Sequence, residues 1–557
     1  MAGESLIIGD GNWGVKSDSL LGYAVNSGRF VPRDLTFTRA TTGTRTNGAL
    51  LVETTPYNLL QYSEQLENGV WSQLNSSIVS NFLTSPNGTL TADKIVESNA
   101  AGFHGPFQLL SGNVGTTYTY SVYLKAAERT WALVWFDADG AGAYFNLSNG
   151  SLGTVSSGVT ASSINAGNGW YRCSITKTIS TAANARIFLA NGNNVVSYTG
   201  DGTSGIYAWG AQVVEGSSVL DYLPTTTRLN IPRVDYSTGT AALLLEPQRT
   251  NISTGSENMG ASWLPIGGTL TPNSTTSPSG LLNAAKLTVT TANGYAYRDI
   301  VTVASTVYTF SVYIRSATGS DVNGALNAGA GSINFVANNT WQRFSLTFTA
   351  SAALTTFYIG GFSSLSLGED IFIWGAQVEV GSYPTSYIPT TSASVTRNAD
   401  TCLRTGISNL IGQTEGTLFI DFVFKTPTNV AGGQVAVTSN SVSIYDRVII
   451  WNNSTTNTLA ALVQANNALI YNISLGSFVD GTRYKIAIAY KSGDSVFYVD
   501  GIQVGSSSAS FSFSAALTTF ILGAYELAGF SAHQRNNSSM IFMNRLSNSQ
   551  LATLTKK

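Results

Sequence analysis

Ile206-Tyr-Ala-Trp-Gly-Ala-Gln-Val213 returns almost letter for letter as Ile371-Phe-Ile-Trp-Gly-Ala-Gln-Val378. The echo widens on both sides. Tyr118-Thr-Tyr-Ser-Val-Tyr-Leu-Lys125 pairs with Tyr308-Thr-Phe-Ser-Val-Tyr-Ile-Arg315, and Trp170-Tyr-Arg-Cys-Ser174 with Trp341-Gln-Arg-Phe-Ser345. The pairs Trp71/Trp263, Tyr123/Tyr313, Trp170/Trp341 and Trp209/Trp374 keep their order, with separations of 192, 190, 171 and 165 residues. A shrinking offset between matched strands places the deletions of the second copy in its loops. The chain therefore contains one unit written twice.

Periodicity identifies the unit as β. Tyr118, Tyr120, Val122 and Leu124 alternate with Thr119, Ser121, Tyr123 and Lys125, and the second copy repeats the alternation. This is a strand with one buried face. Phe344, Leu346 and Phe348 form the buried side of another. In 206–213, Tyr207, Trp209, Ala211 and Val213 are expected to share a face, with Trp209 and Trp374 as core anchors. Each copy reads as an antiparallel β-sandwich of the jelly-roll type.

Beyond 395 the pattern is different but still β. Leu418, Ile420, Phe422 and Phe424 alternate, and Asp500-Gly501 predicts a type I′ hairpin turn. A helical turn is expected over 547–554. The fold class is all-β, with three sandwich modules. The expected organisation is an N-terminal attachment segment and connector (1–55), jelly roll 1 (56–228), a connector plus jelly roll 2 (229–394), and a third jelly roll (395–557). The connectors also echo: Ala49-Leu-Leu-Val-Glu53 matches Ala242-Leu-Leu-Leu-Glu246, Asn58 matches Asn251, and Val31-Pro-Arg33 matches Ile231-Pro-Arg233. Tyr222-Leu-Pro-Thr-Thr-Thr227 and Tyr387-Ile-Pro-Thr-Thr-Ser392 close the copies and are expected to be extended and semi-rigid.

Charged residues make up only 11% of the chain and the net charge is −2, with no basic stripe, which argues against nucleic-acid binding. No apolar stretch is long enough to span a membrane. Cys173 and Cys402 read as free thiols. Residues 1–10 have neither a basic region nor a long apolar core, so no secretory signal is read there.

Two stretches carry a resemblance. Tyr484-Lys-Ile-Ala-Ile-Ala-Tyr-Lys-Ser-Gly-Asp-Ser-Val-Phe-Tyr-Val-Asp-Gly-Ile-Gln-Val-Gly505 resembles the central hairpin of laminin-G/concanavalin-A-like lectin jelly rolls. Trp374-Gly-Ala-Gln-Val-Glu-Val-Gly-Ser-Tyr-Pro-Thr-Ser-Tyr-Ile-Pro-Thr390 is similar to the closing strand and exit of carbohydrate-binding-module-like jelly rolls in bacteriophage fibre and appendage proteins. The connectors 231–251 and 395–400 are similar to linkers of such proteins. The resemblance implies a virion protein that assembles in the host cytoplasm and acts outside the cell. It also implies attachment to other virion proteins through the N-terminal segment, contact with host-surface glycan, and a homo-oligomer, a trimer being the expectation.

Sugar binding needs flat aromatic faces and planar polar side chains. The candidates are Tyr123, Lys125, Trp131 and Trp135 in the first copy, Tyr313 and Arg315 in the second, and Tyr445, Arg447 and Trp451 beside Asp446 in the third unit. The first copy is expected to bind better, because the second lacks counterparts of Trp131 and Trp135. No cofactor is expected; calcium at Asp137 and Asp139 is the alternative to a plain polar turn. No catalytic residue is assigned. His104 and His533 lie outside any metal or triad pattern, and the acid pairs 137/139, 369/370 and 494/500 have ordinary turn contexts. The remaining readings are a purely structural virion protein and a capsule depolymerase.

Overall fold

The computed structural model describes residues 5–9, 15–16, 19–20, 22–26, 29–32, 35–55, 57–110, 114–137, 140–226, 232–329, 331–361, 368–425, 434–440, 443–453, 458–477, 479–523 and 533–557. Arg33, Ile231 and Asp139 lie outside them. The chain is all-β, with antiparallel sheets stacked as sandwiches. It forms two compact units, one of Pro56–Asn230 with Lys16–Asp18, the other of Met1–Val15, Ser19–Thr55 and Ile231–Lys557.

The first unit is a sandwich of two six-stranded sheets. One runs Ser76–Thr84, Leu90–Glu97, Gly205–Glu215, Thr117–Ala126, Trp170–Thr178, Thr160–Gly167. The other runs Leu152–Val155, Ala141–Asn146, Trp131–Phe136, Asn184–Ala190, Gly105–Leu109, Ser72–Leu74. Tyr118, Tyr120, Val122 and Leu124 fill the core between them, as the alternation predicts.

The second copy, within the other unit, repeats this order with two five-stranded sheets: Gly268–Thr276, Leu282–Val289, Ile371–Val380, Val307–Ser316, Gln342–Thr349, and Leu264–Ile266, Tyr295–Val301, Leu354–Gly360, Val322–Ala328, Gly331–Ala337. The strands without counterparts are the edges Leu152–Val155 and Thr160–Gly167. They account for the drop in offset from 190 to 171 between the Tyr123/Tyr313 and Trp170/Trp341 pairs. The deletion removes whole edge strands as well as loop, which a sandwich tolerates because no central ladder is broken.

One expectation about the repeated octapeptide is corrected. Ile206, Ala208, Ala211 and Val213 face the core, whereas Trp209 joins a separate cluster on the outer face. Gly210 sits at φ +64° and Gly375 at φ +70°, and each marks a bulge that reverses the alternation. A left-handed residue inside a strand favours glycine. The bulge leaves a carbonyl without a ladder partner. Asn58 Nδ2 donates to Ala211 O (2.9 Å) and Asn251 Nδ2 to Ala376 O (3.3 Å). Gln212 and Gln377 then clamp the exit segment: Leu223 N donates to Gln212 Oε1 and Ile388 N to Gln377 Oε1, both at 2.6 Å. Tyr222 and Tyr387 on those exits lie 4.6 and 4.5 Å from the rings of Trp209 and Trp374 and cover them. Both tryptophans are buried, outside the main core.

The C-terminal sandwich is not confined to 395–557. Leu6–Gly9 pairs on one side with Gly22–Asn26 and on the other with His533–Phe542. Leu35–Thr38 pairs with Thr401–Arg404, and Ala242–Leu245 with His533–Phe542. Leu6, Ile8, Leu35, Phe37, Leu243 and Leu245 belong to the same core as Leu418, Ile420, Phe422 and Phe424. The segment expected as a separate N-terminal attachment piece therefore supplies strands to the last sandwich. The chain opens that sandwich, departs to build the first copy, returns for the two strands Arg233–Asp235 and Ala242–Leu245, departs for the second copy, and returns to finish. A strand with one partner more than 500 residues away, as Leu6 is from Ile541, cannot be placed from local pattern.

The connectors are correspondingly rigid. Arg233 donates to Glu246 (2.8 Å), Ser386 (2.7 Å), Thr44 O (3.0 Å) and Asp400. Arg39 donates to Asp400 (2.9 Å), and Arg397 lies 3.2 Å from Glu246. All five charged side chains are buried. A buried ion network thus ties the connector, the second copy's exit and the C-terminal sandwich together. Asp500 and Gly501 both have positive φ, as a type I′ turn requires, and Asn548–Leu554 is a helix capped by Ser547 and Gln550.

Candidate functional site

The strand Trp131–Phe136 places Ala132, Val134 and Phe136 in the core of the first copy and turns Trp131, Leu133 and Trp135 outward. Both tryptophans are half-buried. Trp135 stands opposite Gly142 across the ladder. A Cβ on Gly142 would lie 3.0 Å from the Trp135 ring, and one on Gly153 would lie 2.7 Å from the Trp131 ring. Side-chain-free positions beneath each indole let both lie against the sheet. Four residues of strand separate them by roughly 13 Å. Phe103, Phe188 and Tyr144 complete the aromatic face, with Phe103 5.4 Å from Phe188 and 5.9 Å from Trp135.

A polar group borders this face. The Arg186 guanidinium lies 4.4 Å above the Phe107 ring and pairs with Asp137. Asp137 also accepts from Asn184 N (2.6 Å) and Asn184 Nδ2 (2.8 Å). Burial works against its charge, but the Asn184 donors and Arg186 outweigh it and hold the carboxyl below its ordinary range. Both Asp137 oxygens are therefore engaged within the protein. Asp139, the other calcium candidate, lies outside the described residues. Among the described residues no group of three or more His, Cys, Asp or Glu is arranged to hold a metal ion.

Tyr123 and Tyr313 are not open platforms. Tyr123 packs 5.3 Å from Trp209 with Arg172 over its ring, and Tyr313 packs 5.5 Å from Trp374 with Arg343 over its ring. These are matched structural clusters on the outer face beside the bulge. Lys125 donates to Asn168 O (2.8 Å), and Arg315 stacks on Trp341 and Phe372 while donating to Thr275 Oγ1 (2.8 Å).

In the C-terminal sandwich, strand Ser443–Asn453 turns Arg447 and Trp451 to one face, together with the exposed Tyr445. Arg447 Nε donates to Gln464 Oε1 (2.9 Å), and Trp451 Nε1 to Asn472 Oδ1 (3.2 Å). Asp446 points inward, where it accepts from Asn466 N, Ser514 N and Oγ, and Ala515 N. It is a loop anchor, not part of a rim.

The acid pairs have similar structural duties. Asp370 pairs with Lys286, Asp494 with Arg545 and Asp500 with Lys557. His104 bridges Asn75 O and Tyr198 O. Sequence reasoning missed Gly142, Gly153, Phe103 and Arg186, and also the outward cluster Tyr295, Tyr297 and Tyr358 on the second copy. The alternation Tyr295-Ala-Tyr297 was the available signal. The glycines give none, because their role depends on cross-strand register. No helix of the described residues is long and apolar enough to cross a membrane.

No protein-family model matches the chain, and no curated protein does. Among solved structures it is similar to the CBM40 domain of the Ruminococcus gnavus IT-sialidase bound to α2,3-sialyllactose (TM-score 0.24, 11% identity, 28% of this chain and 91% of that one). It is also similar to the NanB sialidase of Streptococcus pneumoniae (TM-score 0.23, 16% identity, 28% of this chain and 26% of that one). The receptor-binding domain of botulinum neurotoxin C/D mosaic serotype is a third (TM-score 0.23, 11% identity, 28% of this chain and 40% of that one). Each likeness spans little more than a quarter of the chain.

Proposed function

We propose that this protein is a non-catalytic, glycan-binding appendage of a bacteriophage virion, and that the outer aromatic face of the first copy is its sugar platform. The observation that carries the binding role is the pair Trp131 and Trp135, half-exposed and each placed over a glycine. Flat indoles roughly 13 Å apart suit the C–H faces of two non-adjacent sugar rings of one oligosaccharide, and Arg186 and Asn184 at the border suit hydroxyls. The virion role rests on the resemblance of the closing strands and connectors to phage appendage proteins. A homo-oligomer, with many copies on a particle, would raise individually weak contacts to useful avidity.

The test is a glycan array probed with the full-length protein, followed by titration of the best ligand. Trp131→Ala and Trp135→Ala are each expected to weaken binding about tenfold or more, since a stacked ring contributes on the order of 1–2 kcal/mol. Unchanged affinity in the double variant, with its melting transition intact, refutes the platform. Release of reducing ends from a capsule by the purified protein refutes the non-catalytic reading.

A further inference from the structure

A cavity lies in the other unit, among the hairpin Thr44–Thr54, the second copy and the C-terminal sandwich, with a volume of about 530 Å³. That is within the usual range for small-ligand sites. Arg45, Arg343, Lys425 and Arg535 line it, with Tyr313 and Trp341 as aromatic walls. Asp235 is the single carboxylate in the lining, and it is already paired with Arg535 at 3.1 Å. Arg45 has its partner, Glu53, at 3.0 Å. Among the described residues neither Arg343 nor Lys425 has a carboxylate within ion-pair distance. Arg343 is held by Thr385 O (2.6 Å) and Ser311 Oγ (2.9 Å), which fixes its guanidinium without neutralising it. Burial, with Arg535 and Arg343 nearby, pushes the Lys425 ammonium below its ordinary range against the opposing pull of Asp480 and Glu246. In a chain with a net charge of −2 and so few charged residues, three arginines and a lysine against one carboxylate line this aromatic-walled cleft.

We infer that this cleft binds a carboxylate-bearing saccharide, its acid group meeting Lys425 and Arg343 and its ring face meeting Trp341. An unpaired, partly desolvated cation favours an anion, and the aromatic walls favour a sugar over a bare inorganic ion. This site is separate from the tryptophan platform and extends the glycan-binding reading to an acidic ligand class.

The experiment titrates the full-length protein with trigalacturonate, its neutral methyl ester and inorganic phosphate, at two salt concentrations. Trigalacturonate is expected to bind at least about tenfold more tightly than its ester and to weaken with salt. Lys425→Gln and Trp341→Ala are each expected to lower that affinity about tenfold, Lys425→Arg to retain it, and Trp131→Ala/Trp135→Ala to leave it unchanged. Equal affinity for acid and ester overturns the inference. So does binding indifferent to Lys425→Gln, or phosphate binding as tight as that of trigalacturonate. Loss of neutral-glycan binding in the Trp131/Trp135 variant concerns the platform alone, so the two proposals fail separately.

Discussion

Removing the first strand should unfold the last sandwich. Leu6, Ile7 and Ile8 are 0%, 6% and 0% exposed, and their strand lies between Gly22–Asn26 and His533–Phe542. At about 1.5–3 kcal/mol for each buried aliphatic side chain, deletion of residues 1–10 removes roughly 5–9 kcal/mol of gross stabilisation, an upper bound because the unfolded chain is partly compact. This is comparable with the whole net stability of a domain, about 5–15 kcal/mol. Deletion also bares the ladder of His533–Phe542, an invitation to intermolecular pairing. A milder change, Ile8→Ala, should cost about 2–5 kcal/mol. Differential scanning calorimetry of the full chain is the assay. The transition of the Pro56–Asn230 unit serves as an internal reference and should not move, while that of the other unit falls. The isolated 395–557 segment should give no cooperative melt. A 395–557 fragment that folds cooperatively, or an Ile8→Ala variant with every transition unchanged, would refute the strand-sharing argument.

Two further outcomes follow from the same structure. His533 is buried 3.2 Å from Glu246, and burial, helped by Lys425 and Arg535, lowers its pKa to about 4 against the opposing pull of Glu246. The unfolded chain takes up this proton near pH 6.5 and the folded chain only near pH 4, so acidification between those values should cost about 3 kcal/mol, with no further loss from this group below. Melting temperature against pH should flatten over that window in His533→Gln. Separately, Gly210→Ala and Gly375→Ala should each destabilise only their own copy. The left-handed backbone costs about 1–2 kcal/mol. The new methyl also meets Tyr123 at 3.1 Å in the first case and Tyr313 at 3.2 Å in the second. Gly88→Ala, at φ +88° with open space around it, should show the backbone cost alone in chemical denaturation.

Much was legible along the chain because strands report themselves locally. The alternation in 118–125 and 308–315 put the right side chains in both cores, and Asp500-Gly501 marked its turn. The octapeptide misled at one point. Alternation assumes an unbroken ladder, and the bulge at Gly210 shifts it by one residue, so Trp209 and Ala211 face opposite ways. Among the site residues, Trp131 and Trp135 were recognisable as outward aromatics. Tyr123 and Tyr313 were not recognisable as covered, because Tyr222 and Tyr387 arrive over them from the exit segments.

By itself, then, the order of residues determined the strands, their buried faces and the duplication, all properties of neighbours a few positions apart. Tertiary structure alone decided where Leu6–Gly9 and Ala242–Leu245 pair, that Arg39, Arg233 and Arg397 meet Glu246 and Asp400 in one buried network, and that Arg343 and Lys425 line one cleft. Hydrogen-bonded ladders and ion pairs act through space, and their partners here are brought together by strands that come from opposite ends of the chain.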